Sequence, residues 1–166
     1  MTPLIIASNT GYLALVKVLL DNKADLSITD NMRFNAIIHA VKNQHIDVVK
    51  ELLVRGAKVN LRSYMILPDD PEVASFFWVC INKNAEIAKV LLEAGTNIHT
   101  PDEFDYTYLM RATHFECIEI VRLLLGTGAD VNVVSNNSQS AFTIAMEKNN
   151  STLIALFATH MVEDLE

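Results

Sequence analysis

Apolar residues along the 166-residue chain recur at helical spacing in short, paired segments. In the second such pair, Ile37, Ala40 and Val41 fall on one helix face. After the polar break KNQH, Ile46, Val49, Leu52 and Leu53 do so again. A period near 3.6 predicts two short amphipathic helices. The break NTGY divides the first pair in the same way. The segments also match one another. LVKVLLDNKADLS (15–27) aligns with VVKELLVRGAKVN (48–60), IAKVLLEAGTNIH (87–99) and IVRLLLGTGADVN (120–132). Upstream lie TPLIIA (2–7), NAIIHA (35–40), ASFFWV (74–79), TYLMRA (107–112) and SAFTIA from 140. The starts at 2, 35, 74, 107 and 140 are spaced by 33, 39, 33 and 33 residues, so one unit is longer by six. Ala7, Ala40, Ala112 and Ala145 at mid-helix let neighbouring helices approach closely, with Val79 in that place in the third unit. The stretch GADVNVVSNNSQ and its counterparts lack helical periodicity and carry turn residues.

A two-helix unit of this size cannot bury its apolar face alone, and stacking units buries a continuous core. The expected class is all-α, a solenoid of stacked helix–turn–helix units over residues 1–166, read as one domain. TPL at Thr2–Leu4, followed by segments of the VVKxLLxxGAxVN type at this period, resembles the ankyrin repeat over essentially the whole chain. The resemblance implies antiparallel helix pairs with a projecting β-hairpin or loop finger. The family's TPLH histidine is replaced by Ile5, Ile38, Phe77, Met110 and Thr143. Its hairpin glycine is replaced by Arg33, Glu72, Asp105 and Ser138. Glycine there allows positive φ, so irregular or strained fingers are expected. The extra residues of the third unit fall in a finger over 61–73, and a C-terminal capping helix is expected near 151–166. Leu4, Ile5 and Ile6 are expected to form a poorly capped first end, which implies a fragment of something longer or a covering partner.

The formal net charge of −7, from 13 basic and 20 acidic residues, argues against a nucleic-acid partner. With 51% apolar residues disorder is not expected, and no apolar run approaches a membrane span. No secretory signal is evident, and Cys80 and Cys117 have no framework or metal spacing. A cytoplasmic location is expected, or the host cytosol for a microbial effector. No glycine-rich phosphate loop, nucleophile elbow or HExxH occurs. The five histidines scatter over different units and read as surface or groove residues. Asp69 and Asp70 read as a solvated turn. The expectation is a non-enzyme without cofactor or metal.

The resemblance places the contact surface on finger tips and the outer face of first helices. Those positions hold Asn31, Met32, Phe34, Lys42 and Asn43 in the second unit, and Asp70, Pro71, Val73, Ile81 and Asn82 in the third. The fourth has Glu103, Phe104, Tyr106, His114 and Phe115, and the fifth Asn136, Asn137, Gln139, Glu147 and Lys148. A position between core and groove holds Ile6, His39, Trp78, Arg111 and Ile144. Trp, Tyr and Arg are enriched in hot spots. The expected protein- or peptide-binding residues are therefore Trp78, Phe104, Tyr106, Arg111, His114 and Phe115, with Asp70 and Val73 of the long finger beside them. Phe76 and Phe77 are expected in the core. The resemblance also makes Asn132, then Asn60, candidates for asparaginyl hydroxylation. A monomer is expected unless the first repeat pairs. Alternative expectations are a regulatory module of a larger enzyme, channel or effector, and a small-ligand sensor built on Trp78 and Arg111.

Overall fold

The computed structural model describes residues 1–58, 75–99, 101–102 and 105–163. These contain ten α-helices and no β-strand. The first repeat has α1 (Pro3–Thr10) and α2 (Leu13–Asp21). The second has α3 (Ala36–Lys42) and α4 (Ile46–Val54), and the third α5 (Ser75–Asn82) and α6 (Ala85–Glu93). The fourth has α7 (Tyr108–His114) and α8 (Ile118–Gly126), and the fifth α9 (Ala141–Glu147) and α10 (Ser151–Glu163). Two compact units result, Met1–Thr96 and Asn97–Glu166. The expected long finger at 61–73 lies outside the described residues.

One repeated device starts the first helices. Thr2, Asn35, Thr107 and Ser140 are extended N-caps whose side chains accept from the amides of Ile5, Ile38, Met110 and Thr143. Each cap satisfies an amide that the helix leaves without a partner, worth about 1 kcal/mol. Asn84 caps α6 in the same manner, and Asn150 Oδ1 accepts from Leu153 N at the start of α10.

In the first unit α1 packs on α3 and α3 on α5, while α2 packs on α4 and α4 on α6. In the second, α7 packs on α9 and α8 on α10. The expected small residues sit at these seams, where Ala7, Ala40, Ala112 and Ala145 are at most 1% exposed. Larger groups fill the space around them: Ile37, Ile38, Val49 and Leu52 in one unit, Leu109, Val121, Leu124 and Phe157 in the other. Each such side chain contributes roughly 1.5–3 kcal/mol by burial.

Three expectations are corrected. Leu4 and Ile5 are buried, because α1 lays them against α2 and α3, and only Ile6 of that trio is exposed. Phe34, placed by register at the contact surface, is fully buried. His39 is buried rather than a surface or groove residue.

The fingers close by one repeated turn. Arg33 N donates to Asp30 O, Asp105 N to Asp102 O and Ser138 N to Ser135 O, at 2.9, 3.0 and 2.9 Å. The turn-closing residues have φ of 60°, 58° and 58°, so the left-handed conformation persists without glycine. That conformation costs an L-residue roughly 1–2 kcal/mol. Asp30 Oδ1 offsets it by accepting from Met32 N and Phe34 N, and Asp102 Oδ1 by accepting from Tyr106 N. Local strain was expected here; no strand pairing forms among the described residues.

Candidate binding site

In the first unit the site begins at α3. Asp30, held by its own turn, turns its second oxygen toward His39, with Nε2 2.8 Å from Oδ2. The other ring nitrogen lies 3.0 Å from Asn9 Oδ1 on α1. Burial pushes Asp30 up, but hydrogen bonds from Phe34 N, His39 and Met32 N outweigh it and leave the carboxyl below its usual range. Beside this lock Phe34 packs edge-on against Trp78, ring centroids 6.3 Å apart. Lys42 Nζ stands 4.7 Å from the Trp78 ring centroid and 5.6 Å from that of Phe34. Trp78 is half-buried, and its indole N–H is buried without an acceptor among the described residues. It is thus a seam residue roofed by a cation. Phe77, expected in the core, is half-buried beside it. The Phe76 side chain lies outside the described residues.

In the second unit, Arg111 and His114 lie on α7, with Tyr106 just before its start and Phe115 at its C-cap. Arg111 Nε donates to Asp102 Oδ2 at 2.8 Å, and its Nη2 donates to the same oxygen. The guanidinium also lies over Tyr106, 4.7 Å from the ring centroid. Tyr106 donates its hydroxyl proton to Gln139 Oε1, and Gln139 Nε2 donates to Glu147 Oε2 at 2.7 Å. A polar chain therefore ties the fourth finger to the fifth. At the C-terminal end of α7, exposed His114 meets half-buried Phe115, the C-cap, edge-on at 5.4 Å. Partial desolvation, then the cations Lys148 and Arg111, hold His114 below the usual imidazole range against an opposing Glu147.

Phe104, Asp70, Val73 and Asn60 lie outside the described residues. Asn132 is exposed, and its amide donates to Asp130 Oδ1 at 2.8 Å. Sequence reasoning missed Asp30 and Asp102 as finger anchors. The available signal was their register: each stands nine residues before the His39 or Arg111 it holds. Among the described residues no group of three or more His, Cys, Asp or Glu could hold a metal ion. No described helix is long and apolar enough to cross a membrane.

Capped helix pairs that repeat in register, joined by turn-closed fingers, define a helical repeat protein. The chain belongs to the ankyrin-repeat family: a family model for ankyrin repeats in three copies matches residues 1–63 and 76–164. It is 30% identical over 150 residues to the ankyrin repeat and KH domain-containing protein mask-1 of Caenorhabditis elegans, covering 90% of this chain and 5% of that protein. It is 29% identical over 140 residues to the potassium channel AKT2/3 of Arabidopsis thaliana, covering 83% of this chain and 16% of the channel. It is 28% identical over 167 residues to the ankyrin repeat protein FPV031 of Fowlpox virus (strain NVSL), covering 96% and 47%. The chain thus spans less than half the length of each of these relatives. Ankyrin repeats are in general protein–protein interaction modules, and the fold is in general non-catalytic.

Proposed function

We propose that this chain is a non-catalytic protein-recognition module whose main contact surface is the outer end of α7. The observation that carries this reading is the pairing of exposed His114 with half-buried Phe115 on an otherwise polar edge beside Lys148. An aromatic edge next to titratable and cationic groups suits a peptide that offers both an apolar and an acidic side chain. Arg111 and Tyr106 support the surface from behind, since both already hold partners within the unit. That weighs against a small-ligand sensor that would use Arg111 directly. Trp78, roofed by Lys42, offers a second patch, on the first unit. The test is affinity capture with the wild-type chain and Phe115→Ala in parallel, read by mass spectrometry. Proteins retained by the wild type and lost by the variant, at equal melting temperature, support the reading. Identical capture by both would remove it.

A second reading makes the chain the recognition segment of a larger protein. The lengths of the relatives favour it, because the matched region is a minor part of mask-1 and of the potassium channel. Sequencing the full-length transcript decides it.

A further inference from the structure

The first helix pair shows a face that the next two pairs of its unit hide. Leu15 on α2 is 39% exposed, whereas its register mates Val48 on α4 and Ile87 on α6 are 1% and 0% exposed. Ile6 on α1 is 49% exposed, and its mate His39 on α3 is 4% exposed. The difference is the cover: α1 and α2 lie over α3 and α4, which lie over α5 and α6. Tyr12 and Val18 are exposed too, and with Leu15 they follow at intervals of three residues along one side of α2. Val18 points away from α4 by register, because its mate Glu51 reaches back from α4 to Lys17 on α2. Apolar side chains exposed together in this way mark an interaction surface.

This face carries no charged side chain. α1 has no charged residue, and α2 has only Lys17 and Asp21. Both are drawn to α4: Lys17 Nζ lies 3.9 Å from Glu51 Oε2, and Arg55 Nη2 donates to Asp21 Oδ1 at 2.8 Å. Two-fold pairing sets a patch against its own copy, so a charged patch repels itself and a neutral one does not. A chain of net charge −7 repels its own kind over most approaches, which leaves a neutral apolar face as the favoured point of contact. We propose that the α1–α2 face pairs with the same face of a second copy of the chain. The pair buries Ile6, Tyr12, Leu15 and Val18 of each copy. It continues into the second chain the helix-on-helix packing that joins α1 to α3 and α2 to α4. Two short helices per copy make a contact at the low end of interface sizes, so a dissociation constant on the order of 10–100 μM is expected. The face is independent of the α7 surface.

Two substitutions alter the face with residues that other repeats of the unit already hold in register. Val18→Glu installs what the second repeat has at Glu51, and Tyr12→Asn what the third has at Asn84. Asn84 caps α6 by accepting from Ile87 N at 3.0 Å, while Tyr12 gives α2 no side-chain cap. Tyr12→Asn should therefore hold or raise the melting temperature while it removes an aromatic ring from the face. In sedimentation equilibrium the wild-type mass is expected to rise from that of one chain toward twice that value between about 1 and about 500 μM. Each variant is expected to weaken association about tenfold. Val54→Glu, at the exposed end of α4 and outside this face, is expected to leave association unchanged. Should Val18→Glu melt early, Tyr12→Asn alone decides. Three results each overturn the proposal. The first is a wild type that stays monomeric over the whole range, which leaves the face to a helix pair of a longer or a different chain. The second is association undiminished by Tyr12→Asn, and the third is association weakened as much by Val54→Glu.

Discussion

His39 sits on Asp30 in the second repeat as Arg111 sits on Asp102 in the fourth. Each pair ties a finger to the first helix behind it, at the same positions of the repeat. Around His39 the donors are fixed. Asn43 Nδ2 donates both to the His39 carbonyl and to Asn9 Oδ1, so the Asn9 atom facing the ring is an acceptor. Both imidazole nitrogens then face oxygens, Asn9 Oδ1 at 3.0 Å and Asp30 Oδ2 at 2.8 Å.

The first prediction concerns that lock. The Asp30 and His39 side chains are 8% and 5% exposed, against 15% and 18% for Asp102 and Arg111. Removing one partner of a buried pair costs about 3–5 kcal/mol. Asp30→Ala should lower stability by about that amount in urea unfolding, and Asp102→Ala by less. The pH dependence follows from the depressed Asp30 carboxyl. Its contribution is fully present above the unfolded carboxylate value of about 3.9 and is lost as pH falls through the lower folded value. The gap between wild type and Asp30→Ala should therefore narrow below about pH 4. A constant gap down to that pH and below it would contradict the assignment.

Glycine is required at one turn for two reasons and at another for one. Gly11 joins α1 to α2 at φ 73°, and an added Cβ would lie 2.5 Å from His45 Nδ1. His45 cannot retreat cheaply, since its Nε2 lies 3.1 Å from the Asn9 carbonyl oxygen. Gly128 has φ 85° but open space around it. Gly128→Ala should cost about 1 kcal/mol, the left-handed strain less the gain from a stiffer unfolded chain. Gly11→Ala adds overpacking and should cost about 2–4 kcal/mol. Thermal unfolding of the two variants, with equal costs as the contrary result, decides the point.

The helices were legible in the sequence because the devices that make them recur. Thr2, Asn35, Thr107 and Ser140 stand in register as caps, and Ala7, Ala40, Ala112 and Ala145 as seam residues. Much of the candidate site was not legible in that way. Phe34 and His39 occupy outward positions in a repeat taken by itself. A neighbouring side chain covers each of them: Trp78 and Lys42 lie over Phe34, while Asn9 and Asp30 close on His39. Periodicity reports a residue's face on its own helix; it does not report what the next repeat lays over that face. The same reason separates Tyr106, tied to Gln139, from His114, which stays exposed.

Lys42 roofs Trp78, and a roof can be removed. The chain has one tryptophan, so its emission reports this seam alone. Lys42→Ala deletes a cation 4.7 Å from the ring centroid together with the stem that carries it. Emission should move to longer wavelength as water reaches the indole, with a stability loss of about 0.5–2 kcal/mol. Lys42→Met keeps an apolar cover and should leave the emission near that of wild type. If both variants leave the spectrum unmoved, Lys42 does not shield the ring.

His114 gives the α7 surface a pH dependence of its own. Its imidazole is held below the usual range by partial desolvation first, then by Lys148 and Arg111, with Glu147 opposing. The unfolded chain therefore takes up the proton more readily than the folded one. Stability from this group is fully present above the unfolded value near 6.5 and declines as pH falls through it toward the folded value. His114→Gln removes that dependence, so the variant should lose less melting temperature than wild type between pH 7 and pH 5. Lys148→Gln removes one of the two cations that depress the group, and the His114 ring protons should then titrate at higher pH. A titration unmoved by Lys148→Gln would exclude Lys148 as a cause and leave desolvation and Arg111. A wild-type melting curve that parallels His114→Gln throughout this range would exclude the group as the source of the dependence.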